Sequence, residues 1–247
     1  MKKKLYGLGF GAFLILLWQL LALKINASYI LPSPLQVWQA LQKNFHLIMT
    51  THFPMTMEVV VIGSSIALVL GITLAILMDL DERIEHAVYP ILTVSQTIPV
   101  LCIAPVFVLW FGYTTTTRVI VVVLLTFFSI TVNVFDGFKA TKQEMTELMA
   151  TYGAGRMQQF MKLRLPTALP YFFTALKISI PWAVVGAAIA EWLGSPGGLG
   201  NYSRKMMMDL NAAGLIAPLL VISAVALLIN GAIRLIERLV VTWRAEV

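Results

Sequence analysis

Six windows of the sequence, 5–23, 59–78, 87–111, 119–135, 171–192 and 214–233, each run for about the length of a membrane-crossing helix and hold at most two charged residues. A hydrocarbon core takes about 20 mostly apolar residues per crossing, so windows of this kind dictate the solvent before they dictate a fold. In lipid every backbone N–H and C=O needs an internal partner, which leaves helices for segments of this length. Composition agrees: 59% of the residues are hydrophobic, 12% are charged, and the mean hydropathy is +0.84. The expectation is an all-α integral membrane protein with six transmembrane helices, residues 1–247 forming one domain. Cys102 is the only cysteine, and His46, His52 and His86 are scattered, so neither a disulfide nor a metal site is indicated.

The first window follows Lys2, Lys3 and Lys4, as a signal peptide would, but its apolar run exceeds the usual 7 to 15 residues of about that class and no A-x-A site follows. It reads as a retained helix. With the amino terminus in the cytoplasm, the inner segments carry Lys2, Lys3, Lys4, Arg83, Lys139, Lys142, Arg156, Lys162, Arg164, Arg234, Arg238 and Arg244. The outer segments carry Lys24, Lys43, Arg118, Arg204 and Lys205. The asymmetry places both termini inside by the positive-inside rule, and the net charge of +6 reports insertion and not nucleic-acid binding.

Two connections carry local signals. Leu31-Pro32-Ser33-Pro34 sets a serine cap before a proline, and Leu35, Val37, Trp38 and Leu41 then predict an amphipathic helix on the outer surface. The inner loop, about 139–170, holds seven of the thirty charged residues. Thr141 and Glu144 form a T-x-x-E capping box, with Met145, Leu148, Met149 and Tyr152 at helical spacing behind it. Gly153 and Gly155 flank Ala154 in an elbow, and Met157, Phe160 and Met161 start a second apolar stripe before Leu165-Pro166 and Pro170. Periodicity alone leaves two readings open for this helix pair: it lies flat on lipid, or it docks a protein.

The segment Glu147-Leu148-Met149-Ala150-Thr151-Tyr152-Gly153, nine further residues, and Leu163-Arg164-Leu165-Pro166 resembles the EAA signature of ABC importer permeases. Leu148 and Met149 replace its two alanines and Leu163 its isoleucine. Leu31-Pro32-Ser33-Pro34, Gln96-Thr97-Ile98-Pro99, Trp110-Phe111-Gly112, Ala190-Glu191-Trp192-Leu193-Gly194 and Gly198-Leu199-Gly200 follow in an order similar to the nitrate/sulfonate/taurine-type subgroup. The resemblance implies a type I importer permease in a bacterial plasma membrane. Its partners would be two ABC ATPase subunits, a second permease copy and an extracytoplasmic solute-binding protein, with membrane lipid around it. Glu147, Leu148, Met149, Gly153, Ala154, Gly155, Leu163, Leu165 and Pro166 would couple it to the ATPases. ATP and Mg would sit on those subunits; no cofactor or metal is expected on this chain. In keeping with that, no G-x-x-x-x-G-K-[ST] phosphate loop occurs in the sequence, and no constellation for enzymatic catalysis.

Polar groups inside spans mark interhelical bonds or a wet path. Ser129, Asn133 and Asp136 share one face of the fourth span; Thr93, Gln96 and Thr97 share one of the third, beside Pro99 and Pro105. These faces are candidates for the translocation path, with Gln96, Thr97, Ser129 and Asn133 nearest a solute. Glu191 is either part of an outer gate or an end group beside the aromatic anchor Trp192, and Lys177 is read as snorkelling to the inner interface. A path poor in cations leans to a small neutral heterocycle such as a thiamine-pyrimidine precursor, ahead of nitrate, taurine or another sulfonate. An ion-gradient-driven transporter and a docking scaffold that moves nothing are the competing readings.

Overall fold

The computed structural model describes residues 2–243 and is helical throughout, with no strand among those residues. Arg244 and the side chains of Lys2, Lys3 and Lys4, which enter the charge count above, lie outside what is described. Eleven helices follow in order: α1 Lys2–Ile25, α2 Pro34–Leu47, α3 Phe53–Leu80, α4 Glu82–Ser95, α5 Val100–Phe111, α6 Thr115–Lys139, α7 Gln143–Thr151, α8 Arg156–Gln159, α9 Leu165–Leu193, α10 Leu199–Met208 and α11 Ala212–Val240. Single π-helical turns, Ile48–His52 and Phe160–Arg164, fuse α2 to α3 and α8 to α9. Pro34–Leu80, Thr115–Lys139, Arg156–Leu193 and Ala212–Val240 are long and apolar enough to cross a membrane, and α4 with α5 makes a fifth candidate if the bent pair is one span. The first window lies on α1.

Three helices form the core: α3 and α6 side by side in one direction, α9 antiparallel to them. Small residues set their spacing. A Cβ on Gly63 would lie 2.6 Å from Val122 Cγ1, one on Gly71 2.9 Å from Ile130 Cγ2, and one on Gly137 2.8 Å from Tyr171 Cβ and 3.0 Å from the Ala168 Cα. Gly186 likewise receives Leu125 of α6, so the Gly186/Ala190 pair is a packing device, as small-x-x-x-small pairs usually are in lipid, where no hydrophobic force draws helices together. The outer half is closed by Leu41 of α2, Leu199 and Tyr202 of α10, and Ala217 and Ile222 of α11, packed with Val59, Val122 and Ala187. Helix α1 stands apart, leaving Phe10, Phe13, Leu16 and Leu20 exposed and reaching the body through Trp18 Nε1, which donates to the Pro32 carbonyl at 3.0 Å.

Several expectations change. The third window does not make one kinked helix: α4 and α5 are separate and bent by 96°. Pro99 supplies no N–H and biases Ile98 away from helical backbone, so the chain turns at 96–99, whereas Pro105 is carried inside α5. The Gln96, Thr97 and Ile98 N–H groups close the turn on the Leu92, Val94 and Ser95 carbonyls, and Ser95 Oγ and Thr97 Oγ1 add second bonds to the Leu92 and Val94 carbonyls at 2.7 Å each. Lys177 does not end as a lone charge: its ammonium, still part-exposed, meets Glu237 Oε2 in the last turn of α11 at 2.7 Å. The second amphipathic element of the inner loop is no free helix either, being the amino-terminal extension of α9 through the π turn.

Alanine at Gly137 would press on the α9 backbone and cost about 1–3 kcal/mol, while alanine at Gly231, with nothing within 4 Å of its Cβ, removes no contact. We expect Gly137→Ala to lower the thermal midpoint of detergent-purified protein by several degrees and Gly231→Ala to leave it unchanged or raise it; equal midpoints would show that the glycine seam does not set helix spacing.

Candidate functional site

Two polar constructions stand at opposite ends of the α3–α6–α9 core. At the inner end, α7 stops in a motif built on Gly153, whose φ of +76° puts it in the left-handed region. The Ala154 N–H donates to the Met149 carbonyl at 3.0 Å and the Gly153 N–H to the Ala150 carbonyl at 2.9 Å, the two-bond Schellman closure of a helix end. Nothing approaches within 4 Å of where a Gly153 Cβ would sit, so glycine is required there by backbone conformation and not by space. Gly155 caps α8, and the Gln158 side chain reaches back to accept from its N–H at 3.2 Å.

The elbow presents its apolar residues outward. Met145, Leu148, Tyr152, Met157 and Met161 are all exposed, Tyr152 by 83%, and neither α7 nor α8 contains a buried residue. Glu147 is exposed beside them and accepts from Gln143 Nε2 at 2.8 Å. The expected Thr141/Glu144 capping box does not form: α7 starts one residue later with Lys142 at its cap and no side-chain cap bond, and Thr141 Oγ1 is enclosed without a partner. Met149 and Leu163 are half-buried; Leu165 faces inward with Ile76, Val134 and Phe138 around an apolar cleft of about 200 Å³, and Pro166 is the second residue of α9, just past the π turn.

The elbow is tied back by charge. Arg164 Nη1 donates to both oxygens of Asp79, at 2.8 Å each, and the Asp79 side chain is only 3% exposed. Lys139 Nζ donates to Glu85 Oε2 at 2.6 Å and lies 5.3 Å from the Phe135 ring centroid. These contacts were not foreseen because Asp79 and Glu85 are distant in sequence from the loop they hold.

At the outer end Glu191 is fully enclosed. Thr56 Oγ1 donates to Glu191 Oε1 and the Gly200 N–H to Oε2, both at 2.8 Å, while Thr56 Oγ1 itself accepts from the Leu199 N–H at 2.8 Å. Gly198, at φ +102°, passes so close over the carboxylate that any Cβ would strike it. One carboxylate thus fixes α3, α9 and the 194–200 turn, and Asn201 Nδ2 adds a bond to the Ser195 carbonyl at 2.6 Å. Glu191, read from the sequence as part of an outer gate or as an end group, has in this conformation no exposed surface and both oxygens engaged by protein donors.

The two faces read as a path remain separate. Gln96 and Thr97 are exposed at the α4–α5 turn; Ser129 and Asn133 are half-buried on α6, with Asn133 Nδ2 donating to the Ser129 carbonyl at 2.7 Å. No hydrogen bond joins the two faces among the described residues, and α4 meets α6 nearer the inner end, where the Tyr89 and Phe135 rings lie 5.7 Å apart.

Removing the Glu191 carboxylate leaves the Gly200 N–H and Thr56 without their acceptor, at about 1–3 kcal/mol for each buried group. We expect Glu191→Ala to lower the thermal midpoint sharply and Thr56→Val to do so by less, the two being far from additive because they share one bond; additive effects in the double variant would contradict the shared network.

Known proteins resemble the chain along most of its length. The profile of the family described as binding-protein-dependent transport system inner membrane component matches residues 67–242. The formylaminopyrimidine transport permease protein ThiX of Halalkalibacterium halodurans is 45% identical over 96% of this chain and 95% of its own. A probable ABC transporter permease protein of Haemophilus influenzae is 35% identical over 82% of this chain and 84% of its own. Among solved structures, an amino acid ABC transporter shares the fold at 15% identity, with a TM-score of 0.65 over 83% of this chain and 98% of that one. The match over most of its length places the chain in the binding-protein-dependent transport system inner membrane component family, the multi-pass, non-catalytic permeases of ABC importers.

Proposed function

We propose that the chain is the permease subunit of a plasma-membrane importer in which two copies enclose a solute path and two ATPase subunits grip the α7–α8 elbow. The observation that carries this reading is the elbow: five large apolar side chains exposed on a loop that is otherwise charged, held in shape by a left-handed glycine. An exposed apolar patch of this kind needs a partner. Its residues fall on the EAA-like segment, with Glu147, Leu148, Met149, Gly153, Ala154 and Gly155 on the elbow and Leu163, Leu165 and Pro166 leading the displacement into α9. ATP and Mg belong to the ATPase in this reading, and an extracytoplasmic binding protein delivers the solute at the opposite end.

The path is assigned to Gln96, Thr97, Ser129 and Asn133, which stay exposed or half-buried in the single chain. A second copy facing them would complete the enclosure. Both termini are placed in the cytoplasm, and six crossings result if α1 spans and α4 with α5 forms one broken span. In support, Lys139, Arg164, Asp79 and Glu85 gather at one end of the core while the Glu191 network and α2 occupy the other. The solute is assigned to the pyrimidine class of thiamine precursors: the path residues are neutral hydrogen-bonding groups, and the similar ThiX permease is named for formylaminopyrimidine.

Reconstitution tests the whole. The chain, co-expressed with its cognate ATPase and binding protein, is expected to co-purify with the ATPase and to import radiolabelled formylaminopyrimidine into ATP-loaded vesicles. Gly153→Pro, which forces φ to about −65°, and Glu147→Lys should abolish uptake while leaving insertion intact. Normal uptake by both variants would remove the coupling assignment, and uptake of riboflavin, taurine or nitrate in place of the pyrimidine would reassign the solute.

A further inference from the structure

The inner loop begins at Lys139, the last residue of α6, and re-enters the core at Arg164, the last residue of the π turn before α9. Both boundary residues are cations, and each is paired with a carboxylate of the same corner: Lys139 with Glu85 on α4, Arg164 with Asp79 on the last turn of α3. Between those carboxylates Asp81 ends α3 and caps α4, accepting from the Arg83 N–H at 2.8 Å, so the corner is a stiff piece and not a slack turn. The Asp79–Arg164 pair stands like a post between two open clefts. One, of about 520 Å³, separates the corner from α8 and is lined by Asp81, Glu82, Arg156 and Phe160; the other, of about 210 Å³, separates it from the start of α7 and is lined by Thr141, Gln143 and Thr146. The elbow therefore stands off from the α3–α4 corner across space and is bridged to it by ion pairs.

This arrangement answers a question that the coupling reading leaves open. Displacement of the elbow reaches α9 directly, through a continuous helix, and reaches α6 through the Phe138–Phe160 ring contact at 5.6 Å. Helices α4 and α5, which carry Gln96 and Thr97 at their bend, have no continuous link to the loop. We propose that Asp79 and Glu85 are positioning residues that carry the movement of the elbow into the broken α4–α5 hairpin, the two ion pairs acting as a clamp at both ends of the loop. The pairs suit the task. Asp79 is almost wholly enclosed and receives two charge-assisted bonds from one guanidinium nitrogen, so Arg164 cannot move without α3 following or the carboxylate being left buried and alone. The Lys139–Glu85 pair is more open, with side chains 48% and 21% exposed, and by itself adds little stability. Its value is directional, because it ties the loop's entry to the first turn of α4.

The inference rests on the elbow being gripped by an ATPase, and the test separates the two. Glu85→Lys, Lys139→Glu and the exchanged double variant are compared with wild type in the reconstituted complex, together with Asp79→Asn and Arg164→Gln. Three quantities are read: ATPase co-purification, thermal midpoint, and formylaminopyrimidine imported per ATP hydrolysed. The expected result is that Glu85→Lys and Lys139→Glu retain the ATPase and the midpoint but import about tenfold less per ATP, a usual size for one coupling contact, and that the exchange restores most of the loss. Asp79→Asn should uncouple at least as strongly; if it fails to fold, the exposed pair still decides. Wild-type import per ATP in both exposed-pair variants, or no recovery on exchange, overturns the clamp and leaves the coupling reading standing. A wild-type chain that holds no ATPase overturns that reading and the clamp with it.

Discussion

Inside a bilayer a broken backbone hydrogen bond has no water to turn to, and that constraint organises the whole of this molecule. Where the chain stays helical the requirement is met automatically, and the helices can then be judged on packing alone. Gly63, Gly71, Gly137 and Gly186 remove side chains along the seams of α3, α6 and α9, so that Val122, Ile130, Tyr171 and Leu125 seat against bare backbone. Where the helix breaks before Pro99, turn-type backbone bonds close the gap, from the Gln96, Thr97 and Ile98 N–H groups to the Leu92, Val94 and Ser95 carbonyls, and the Ser95 and Thr97 hydroxyls add bonds to the Leu92 and Val94 carbonyls. The bend is thereby affordable in a membrane setting, and it is what exposes Gln96 and Thr97.

The same constraint explains what the sequence made legible. Apolar windows located α3, α6, α9 and α11 because length and hydropathy are properties of single segments. Ser33 and Pro34 announced α2 for a local reason, and the cap forms as read, with Gln36 returning the bond to the Ser33 N–H at 2.8 Å. The glycine elbow was visible because left-handed backbone has few residues able to adopt it. Thr141 and Glu144 misled because a capping box is a four-residue motif whose start can slide by one position when the preceding helix, here α6, continues to Lys139. The ion pairs were beyond reach for a different reason. Glu237 meets Lys177 across 60 positions and Asp79 meets Arg164 across 85, and nothing in a local pattern assigns such partners.

Glu191 shows how one residue type supports two readings until packing is known. A carboxylate near the outer end of a span can face water or a solute, or it can be spent on holding backbone. Here both oxygens go to donors from other elements, and the glycines at 198 and 200 are the counterpart of that choice, since each must bring its backbone where a side chain could not fit. The Gly198-Leu199-Gly200 string and Glu191 are one structural unit although six residues, the turn among them, lie between the acid and the first glycine.

The two ends of the core are built on opposite principles, and the contrast bears on how such a chain can move. The outer end is dense: a buried carboxylate, a hydroxyl and backbone amides bonded to one another, the sort of network that is expensive to open. The inner end is open, with clefts on both sides of a charged post and an elbow that buries nothing of its own. A π turn sits at each junction, Ile48–His52 before α3 and Phe160–Arg164 before α9, and single turns of this kind mark places where a helix is redirected for function. On the proposed coupling, movement applied at the inner elbow would meet little local resistance, pass through Arg164 and Lys139 to the corner at Asp79 and Glu85, and arrive at a stiff outer end that must respond as a body. A molecule loose at the driven end and rigid at the far end converts a push into rotation of whole helices, which is what exposing a path first to one side and then to the other requires.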